Sequence, residues 1–302
     1  MKLQQLRYVC EIVDRGLNVS RAAAALHTSQ PGISKQIRLL EEELGVTLLE
    51  RRRTRITGLT EAGQALLPAM RQMLQEGENL KRRAREAASP EKAKLIIAST
   101  HTHARYVLPA MFKRFVRRHP HVSLQMRQTR TERILEMLRS GEADIGVTTE
   151  PIEPLNHITL DACYRFGHSV VTQPGHPLLA LRRRLTLDHL LRYPIITYDE
   201  RFKLGRLVRE EFEKRGLEPN IVVRAVDSDI AKAYVEAGFG VAVLMNIAYS
   251  RSDDRGLRAI PATHLFGEIV CYAMTLKDRP LAPYAKDFIA LMQSVPVPGI
   301  VR

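Results

Sequence analysis

The sequence predicts an α+β chain in two parts: a small helical N-terminal domain, then one long helix leading into a larger α/β portion. Three observations carry this. Apolar residues recur at helical spacing through the first ninety positions. Strand-like apolar runs and amphipathic stripes alternate from residue 92 to 295. The length, 302 residues, exceeds one ordinary core and suits two or three domains.

Hydrophobic content of 45% and charged content of 26% place the chain among soluble globular proteins. The formal charge of +13 points to a polyanionic partner, nucleic acid first. The first ninety residues hold 15 Lys and Arg against 10 Asp and Glu, so the excess is spread along the chain and charge alone does not locate the site. Cys10, Cys163 and Cys271 are far apart and form no CxxC pair, which excludes a zinc ribbon or a disulfide framework. MKLQQLRYVCEIVDRG has no apolar core before a cleavage site, and no run is long enough to span a bilayer. A cytoplasmic protein is expected.

Leu3, Leu6, Val9, Ile12 and Val13 mark an amphipathic helix over 2–15, ended by Gly16. Asn18 is suited to cap a second helix, Val19 to Leu26, whose four alanines allow close approach of a neighbour. His27 and Thr28 make a tight connection. Ser29 caps a third helix with Pro31 in its first turn, where a missing N–H costs little. Ile33, Ile37, Leu40 and Leu44 form its buried stripe, and Gly45 ends it. Two short helices joined this tightly, the second polar outside, form a helix-turn-helix. Its second helix fits a major groove. The DNA candidates are Ser29, Gln30, Ser34, Lys35 and Arg38, since Gln pairs with adenine, Arg with guanine, and Lys or Ser with phosphates or base edges. Arg51, Arg52, Arg53 and Arg55 read as a basic wing; a solvated loop is the other reading of such a run. Cys10 belongs to the core.

A further helix from Thr60 to about Ala88 carries Leu66, Leu67, Met70, Met73, Leu74 and Leu80 on one stripe. It is expected to link domains and to dimerise, because such a stripe needs a partner. Packing on its own N-terminal domain is the alternative. Ser89-Pro90 ends it. The expected domains are 1–59, 60–90 and 91–302, the last in two lobes of about 91–162 with 267–302, and about 163–266.

Within 91–302, KLIIAS at 94–99 reads as a strand running into Thr100-His101-Thr102-His103 and a helix through Phe115. A strand-to-helix turn collects free N–H groups and suits an anion; Thr100 and Thr102 add hydroxyls, or merely cap the helix. Residues 132–139 predict a helix and 145–147 a buried strand, with Thr149 and Glu150 at its carboxyl end, where α/β sheets bind ligands. Lys203 and Arg206 lie where a strand ending in TYD meets the next helix, a basic anchor. A strand at 221–223, a helix over 227–237, a strand at 241–244, and a closing strand and helix at 269–274 and 283–292 complete two lobes around a cleft. His101 and His103 form an HxH without a third ligand, so no metal is expected, nor any cofactor. No nucleophile or paired acid–base stands out, so an enzyme is not expected.

RAAAALHTSQPGISKQIRLLEEELG at 21–45 and LLERRRTRITGLTEAGQALL resemble the helix-turn-helix, wing and linker start of LysR-type transcriptional regulators. In that family a periplasmic-binding-protein-like effector domain follows, so the resemblance covers the whole chain. MKLQQLRY, THTHARYVLP, TEP at 149–151 and AVDSDIAKAYVEAGFGVAV resemble the CysB-like branch, regulators of sulfur assimilation and cysteine biosynthesis. The resemblance implies a homodimer or homotetramer on promoter DNA, with RNA polymerase contact changing as a small anionic effector (sulfate, thiosulfate or acetylated serine) shifts lobe geometry. It implies effector contacts from Thr100, Thr102 and Thr149, and from His103 in place of a common glutamine. DERFKLGR replaces the branch's threonine-bearing TFGFTG-like stretch, so Lys203 is expected to supply charge there. A sensor of an aromatic or other carboxylate on the same scaffold is the alternative function. A solute-binding protein would need an export signal, which the N-terminus lacks.

Overall fold

The computed structural model describes residues 1–52, 55–88, 93–149, 157–294 and 300–301. Backbone contacts divide the chain into two units, Met1–Lys92 with Arg139–Glu142, and Ala93–Leu138 with Ala143–Arg302.

In the first unit, α1 (Leu3–Asp14), α2 (Val19–Ala25) and α3 (Gln30–Leu44) enclose a core of Leu6, Val9, Ile12, Ala22, Ala23, Ile33, Ile37, Leu40, Leu48 and Leu49. The Asn18 side chain accepts from Arg21 N at 3.0 Å, and Ser29 Oγ from Gly32 N at 3.2 Å, so both helices of the motif start on side-chain caps. The connection bends through His27, a non-glycine at φ +50°, and Thr28 N returns to Ala23 O at 3.0 Å. Gly45 ends α3 at φ +67°, the left-handed conformation that glycine adopts without a Cβ penalty.

Strands β1 (Leu49–Arg52) and β2 (Arg55–Leu59) form an antiparallel hairpin. Glu41, buried at the end of α3, fastens it. Its carboxylate accepts Leu48 N at 2.8 Å, Leu49 N at 3.2 Å and Arg51 Nη2 at 2.8 Å. Helix α4 (Glu61–Ala88) follows, with Gly63 N donating to Thr60 Oγ1 at 2.9 Å. Its stripe is divided. Met70 is buried, and Leu66, Leu67 and Leu74 pack on the N-terminal core, whereas Met73 and Leu80 are exposed. The first part of the helix thus packs on its own domain. Ser89 and Pro90 lie outside the described residues.

The second unit holds two sheets. Strand β3 (Lys94–Ser99) leads into α5 (His101–Tyr106) and α6 (Leu108–Arg118). The sequence predicts one helix here; it breaks at Val107, because Pro109 has no N–H to continue the ladder. There follow β4 (Ser123–Gln128), α7 (Thr131–Ser140), β5 (Ile145–Thr148) and β6 (Ile158–Phe166). The chain crosses at Gly167 into β7 (His168–Thr172), α8 (Leu187–Leu190), β8 (Ile195–Tyr198), α9 (Lys203–Glu213), β9 (Ile221–Ala225), α10 (Ser228–Glu236), β10 (Val241–Met245), β11 (Arg258–Pro261) and α11 (Thr263–Phe266). It returns through β12 (Ile269–Leu276), α12 (Pro283–Ser294) and β13 (Ile300–Val301). Lobe I is the sheet β13-β6-β12-β5-β3-β4, and lobe II is β11-β7-β10-β8-β9. The first crossing lies beyond 162, since β6 pairs with β12 as far as Phe166.

Each lobe is built on three parallel strands, β4-β3-β5 and β9-β8-β10. Parallel strands need crossover helices, so every carboxyl strand end opens onto a turn. The apolar interior runs through Leu95, Ile97, Val107, Leu108, Met111, Phe115 and Phe288 in lobe I, and Ile195, Ile196, Leu204, Val208, Phe212 and Val243 in lobe II. Two histidines lie within it. His103 Nδ1 meets Tyr164 Oη at 2.7 Å, and burial pushes its pKa down to about 4. His168, at the crossing, holds Gly267 O through Nδ1 at 2.9 Å; burial pushes it down to about 4 as well.

Two predictions follow from this packing. Glu41→Ala strands two buried N–H groups and frees Arg51, so it should destabilise the N-terminal domain by about 2–3 kcal/mol. An unchanged calorimetric midpoint for that domain would refute it. The lowered pKa values of His103 and His168 mean that stability is fully present above the ordinary histidine value and drains as pH falls toward about 4. His103→Gln, which still offers a partner to Tyr164, should flatten the loss of effector-domain stability between pH 6.5 and pH 4; equal slopes in calorimetric pH series would contradict this.

Candidate nucleic-acid interface and effector cleft

Gln30, Ser34 and Arg38 recur every four residues along α3, so they share one face, with Lys35 beside them. All four are exposed, and Ser34, Lys35 and Arg38 make no hydrogen bond or ion pair among the described residues. Gln30 Oε1 accepts from Ser20 Oγ at 3.2 Å, which braces the start of α3 against α2. Ser29 is spent on capping, though its own O–H remains a donor. On the hairpin, Arg52 and Arg55 are exposed, and Arg53 lies outside the described residues. Arg51 is committed to Glu41 and so acts as a fastening of the wing, an outcome the run of arginines did not disclose.

The second unit has a cleft of about 700 Å³ between its lobes, within the range of small-molecule sites. Four turns line it, each following a parallel strand. Thr100 and His101 come after β3; Gln128 to Glu132 after β4; Arg201, Phe202 and Arg206 after β8; Val226 and Asp227 after β9. The turns open helices α5, α7, α9 and α10; N-terminal N–H groups favour negative charge, but at α10 the Asp227 carboxylate already accepts Ile230 N at 2.8 Å. Thr100 is the N-cap of α5 yet its side chain makes no capping bond, which leaves the hydroxyl for a ligand. The Arg130 guanidinium has no partner among the described residues. Arg206 Nη1 donates to Glu200 O at 3.0 Å and Arg201 O at 3.1 Å, and Arg201 Nε to Asp199 Oδ1 at 2.9 Å, so that turn is tied down by its own cations. Gly205, buried in α9, sits so close to β8 that a Cβ there would lie 2.4 Å from the carbonyl oxygens of Tyr198 and Asp199.

Of the expected effector residues, Thr100 lines this cleft. Thr102 is buried and does not line the cleft. Thr149 is buried at the end of β5 and does not line the cleft. His103 is a correction: 1% exposed and bound to Tyr164, it is a core group, because the turn of α5 carries it to the side opposite His101. Lys203 is another. It is exposed at the first position of α9 and is not among the residues lining the cleft, where Arg201 and Arg206 stand. Glu150 lies outside the described residues.

Sequence reading missed Arg130, Arg201, Phe202 and the acidic pair Asp227 and Asp229. His101, Asp227 and Asp229 bring ligand-type atoms within 4.8 Å of one another. Asp229 is already held by Tyr106 Oη, by His101 Nε2 at 3.1 Å, by Lys232 Nζ at 3.6 Å and by Arg105 Nε at 3.8 Å. Partial burial raises its pKa, but the bonds from Tyr106 and His101 and the Lys232 charge outweigh that and hold it below the usual carboxylate value. The cluster is therefore balanced by protein cations, not arranged to need a metal. The signal that could have found it is the strand-turn-helix pattern shared by all four turns.

Residues 3–64 match the model of the bacterial regulatory helix-turn-helix protein, lysR family, and residues 88–296 match the LysR substrate binding domain. The chain is 41% identical to the HTH-type transcriptional regulator CysB of Burkholderia cenocepacia, over 97% of this chain and 93% of that one. It is 40% identical to the regulator SsuR of the same organism, over 100% and 99% of the two chains, and 35% identical to the regulator cbl of Escherichia coli, over 88% and 84%. The cofactor-binding domain of the Cbl transcriptional regulator superposes with a TM-score of 0.63 at 29% identity, over 69% of this chain and 91% of that chain. Full-length CbnR, solved with its target DNA, shares the fold over 97% and 99% of the chains at a TM-score of 0.71 and 23% identity. With both domain types matched in order along one chain, and with relatives this similar over nearly its whole length, the protein belongs to the LysR family of helix-turn-helix transcription regulators.

Proposed function

We propose that this LysR-type regulator controls genes of sulfur assimilation and cysteine biosynthesis in response to a small anion of the sulfate, thiosulfate or acetylserine type, bound in the lobe cleft. The observation that carries the reading is the convergence on one cavity of the α7 and α9 N-termini, the Thr100 hydroxyl and Arg130, neither of these two side chains having a partner among the described residues. Oxyanions are recognised by such N–H groups, hydroxyls and guanidinium forks. The similarity to CysB and SsuR supports the sulfur assignment. The protein acts in the cytoplasm as a homodimer or homotetramer on promoter DNA, with contact to RNA polymerase. Exposed Met73 and Leu80 on α4 supply apolar surface for a second copy.

An aromatic or other carboxylate effector is the second reading. The cleft volume of about 700 Å³ and the Phe202 and Val226 side chains in its wall favour a larger organic anion over bare sulfate. Calorimetry with sulfate, thiosulfate, acetylserine and benzoate on the full chain separates the two. Binding of benzoate alone would retire the sulfur reading.

Thr100→Val removes one charge-assisted hydrogen bond and should weaken the bound anion about tenfold, with operator affinity within about twofold. Unaltered calorimetric affinity would take Thr100 out of the site. On the DNA side, Arg38→Ala should cost about 1–3 kcal/mol of discrimination between operator and mismatched duplex. Lys35→Gln should instead lower the slope of log K against log salt by about 0.9. Gel-shift titrations that leave discrimination and slope at wild-type values would remove both residues from the interface.

A further inference from the structure

We propose that Asp229 is a positioning residue for the effector site: from lobe II it grips α5 of lobe I and so sets the placement of the Thr100–Thr102 turn. The geometry is specific. Tyr106 Oη donates to Asp229 Oδ1, His101 Nε2 lies 3.1 Å from Oδ2 and Arg105 Nε 3.8 Å from Oδ2. All three partners belong to α5, and the carboxylate belongs to α10. Helix α5 has six residues and is cut off at Val107, too short to hold its own orientation. Its pose therefore depends on what holds it from outside.

The carboxylate is itself braced. Lys232, one turn further along α10, lies 3.6 Å from Asp229 Oδ1. Its Nζ is fixed by Asp254 Oδ1 at 2.8 Å and by Ala248 O at 3.2 Å, and sits 4.8 Å from the centre of the Tyr106 ring. Within lobe II the same first turn of α10 is tied to β8, where the Tyr198 hydroxyl meets Ser228 Oγ. Asp229 does not itself line the cleft, so its effect on a ligand passes through α5. A ligand that needs the closed lobes binds in proportion to the fraction already closed, and the clamp raises that fraction. The affinity consequence rests on the cleft's being the effector site; the clamp acts with no ligand present.

Hydrogen exchange on the full-length, ligand-free chain tests it. In Asp229→Asn the amides of α5, including Ala104 N, which donates to Thr100 O, should exchange about tenfold faster, and in the gentler Tyr106→Phe about threefold faster. Amides of α3, β3 and β8 should keep their rates. Sodium sulfate titrated by calorimetry should bind Asp229→Asn about fivefold more weakly, with operator affinity unchanged and with Asp229→Glu recovering part of the loss. Unchanged α5 exchange in both variants overturns the clamp. So does a uniform rise across the whole effector domain in both, which would make Asp229 a general stability residue. If Asp229→Asn does not fold, α5 exchange in Tyr106→Phe decides. If sulfate fails to bind the wild type while α5 loosens as described, the clamp stands and sulfate is removed as the effector.

Discussion

Parallel strands impose the constraint on which the effector half depends. Neighbours running the same way cannot be joined by a tight hairpin, so each strand hands over to a helix at its carboxyl end. Strands β3, β4, β8 and β9 do this around one gap, and the polar turns gather there without a dedicated binding loop. Backbone dipoles then supply much of the attraction for an anion before any side chain is chosen. Side chains add selectivity, and here they include both arginines and acids, which suits a ligand bearing more than simple negative charge.

Most of the N-terminal unit was legible in the sequence. Asn18, Ser29, Pro31 and Gly45 are local signals whose meaning does not depend on distant contacts, and the helices begin and end where those residues place them. Strand β4 was not legible, because five of its six residues are exposed and no buried alternation betrays it. Five of the cleft-lining residues, Gln128 to Glu132, run from the end of that strand into the start of α7, so the cleft was read with one wall missing. His103 misled for a related reason. Its neighbour His101 faces the opposite lobe, and only the three-dimensional turn of α5 separates a cleft residue from a core residue two positions on.

Charge was the least transparent signal. Four arginines in five positions read as a single basic surface, yet Arg51 is held by the buried Glu41, which itself anchors the backbone amides of Leu48 and Leu49. The same holds in the cleft, where Arg206 closes its own turn while Arg130 remains available. Counting cations in a sequence measures a field; which of them meet a ligand is decided by the carboxylates and carbonyls that claim the others first.

The tight seat of Gly205 has a consequence for the cleft wall. Because α9 touches the end of β8 there with no room for a methyl group, the turn from Asp199 to Lys203 is fixed by backbone contact as well as by the bonds of Arg201 and Arg206. A bulkier residue at the glycine would push the turn off its seat and carry Arg201 and Phe202, two residues of the cleft wall, with it.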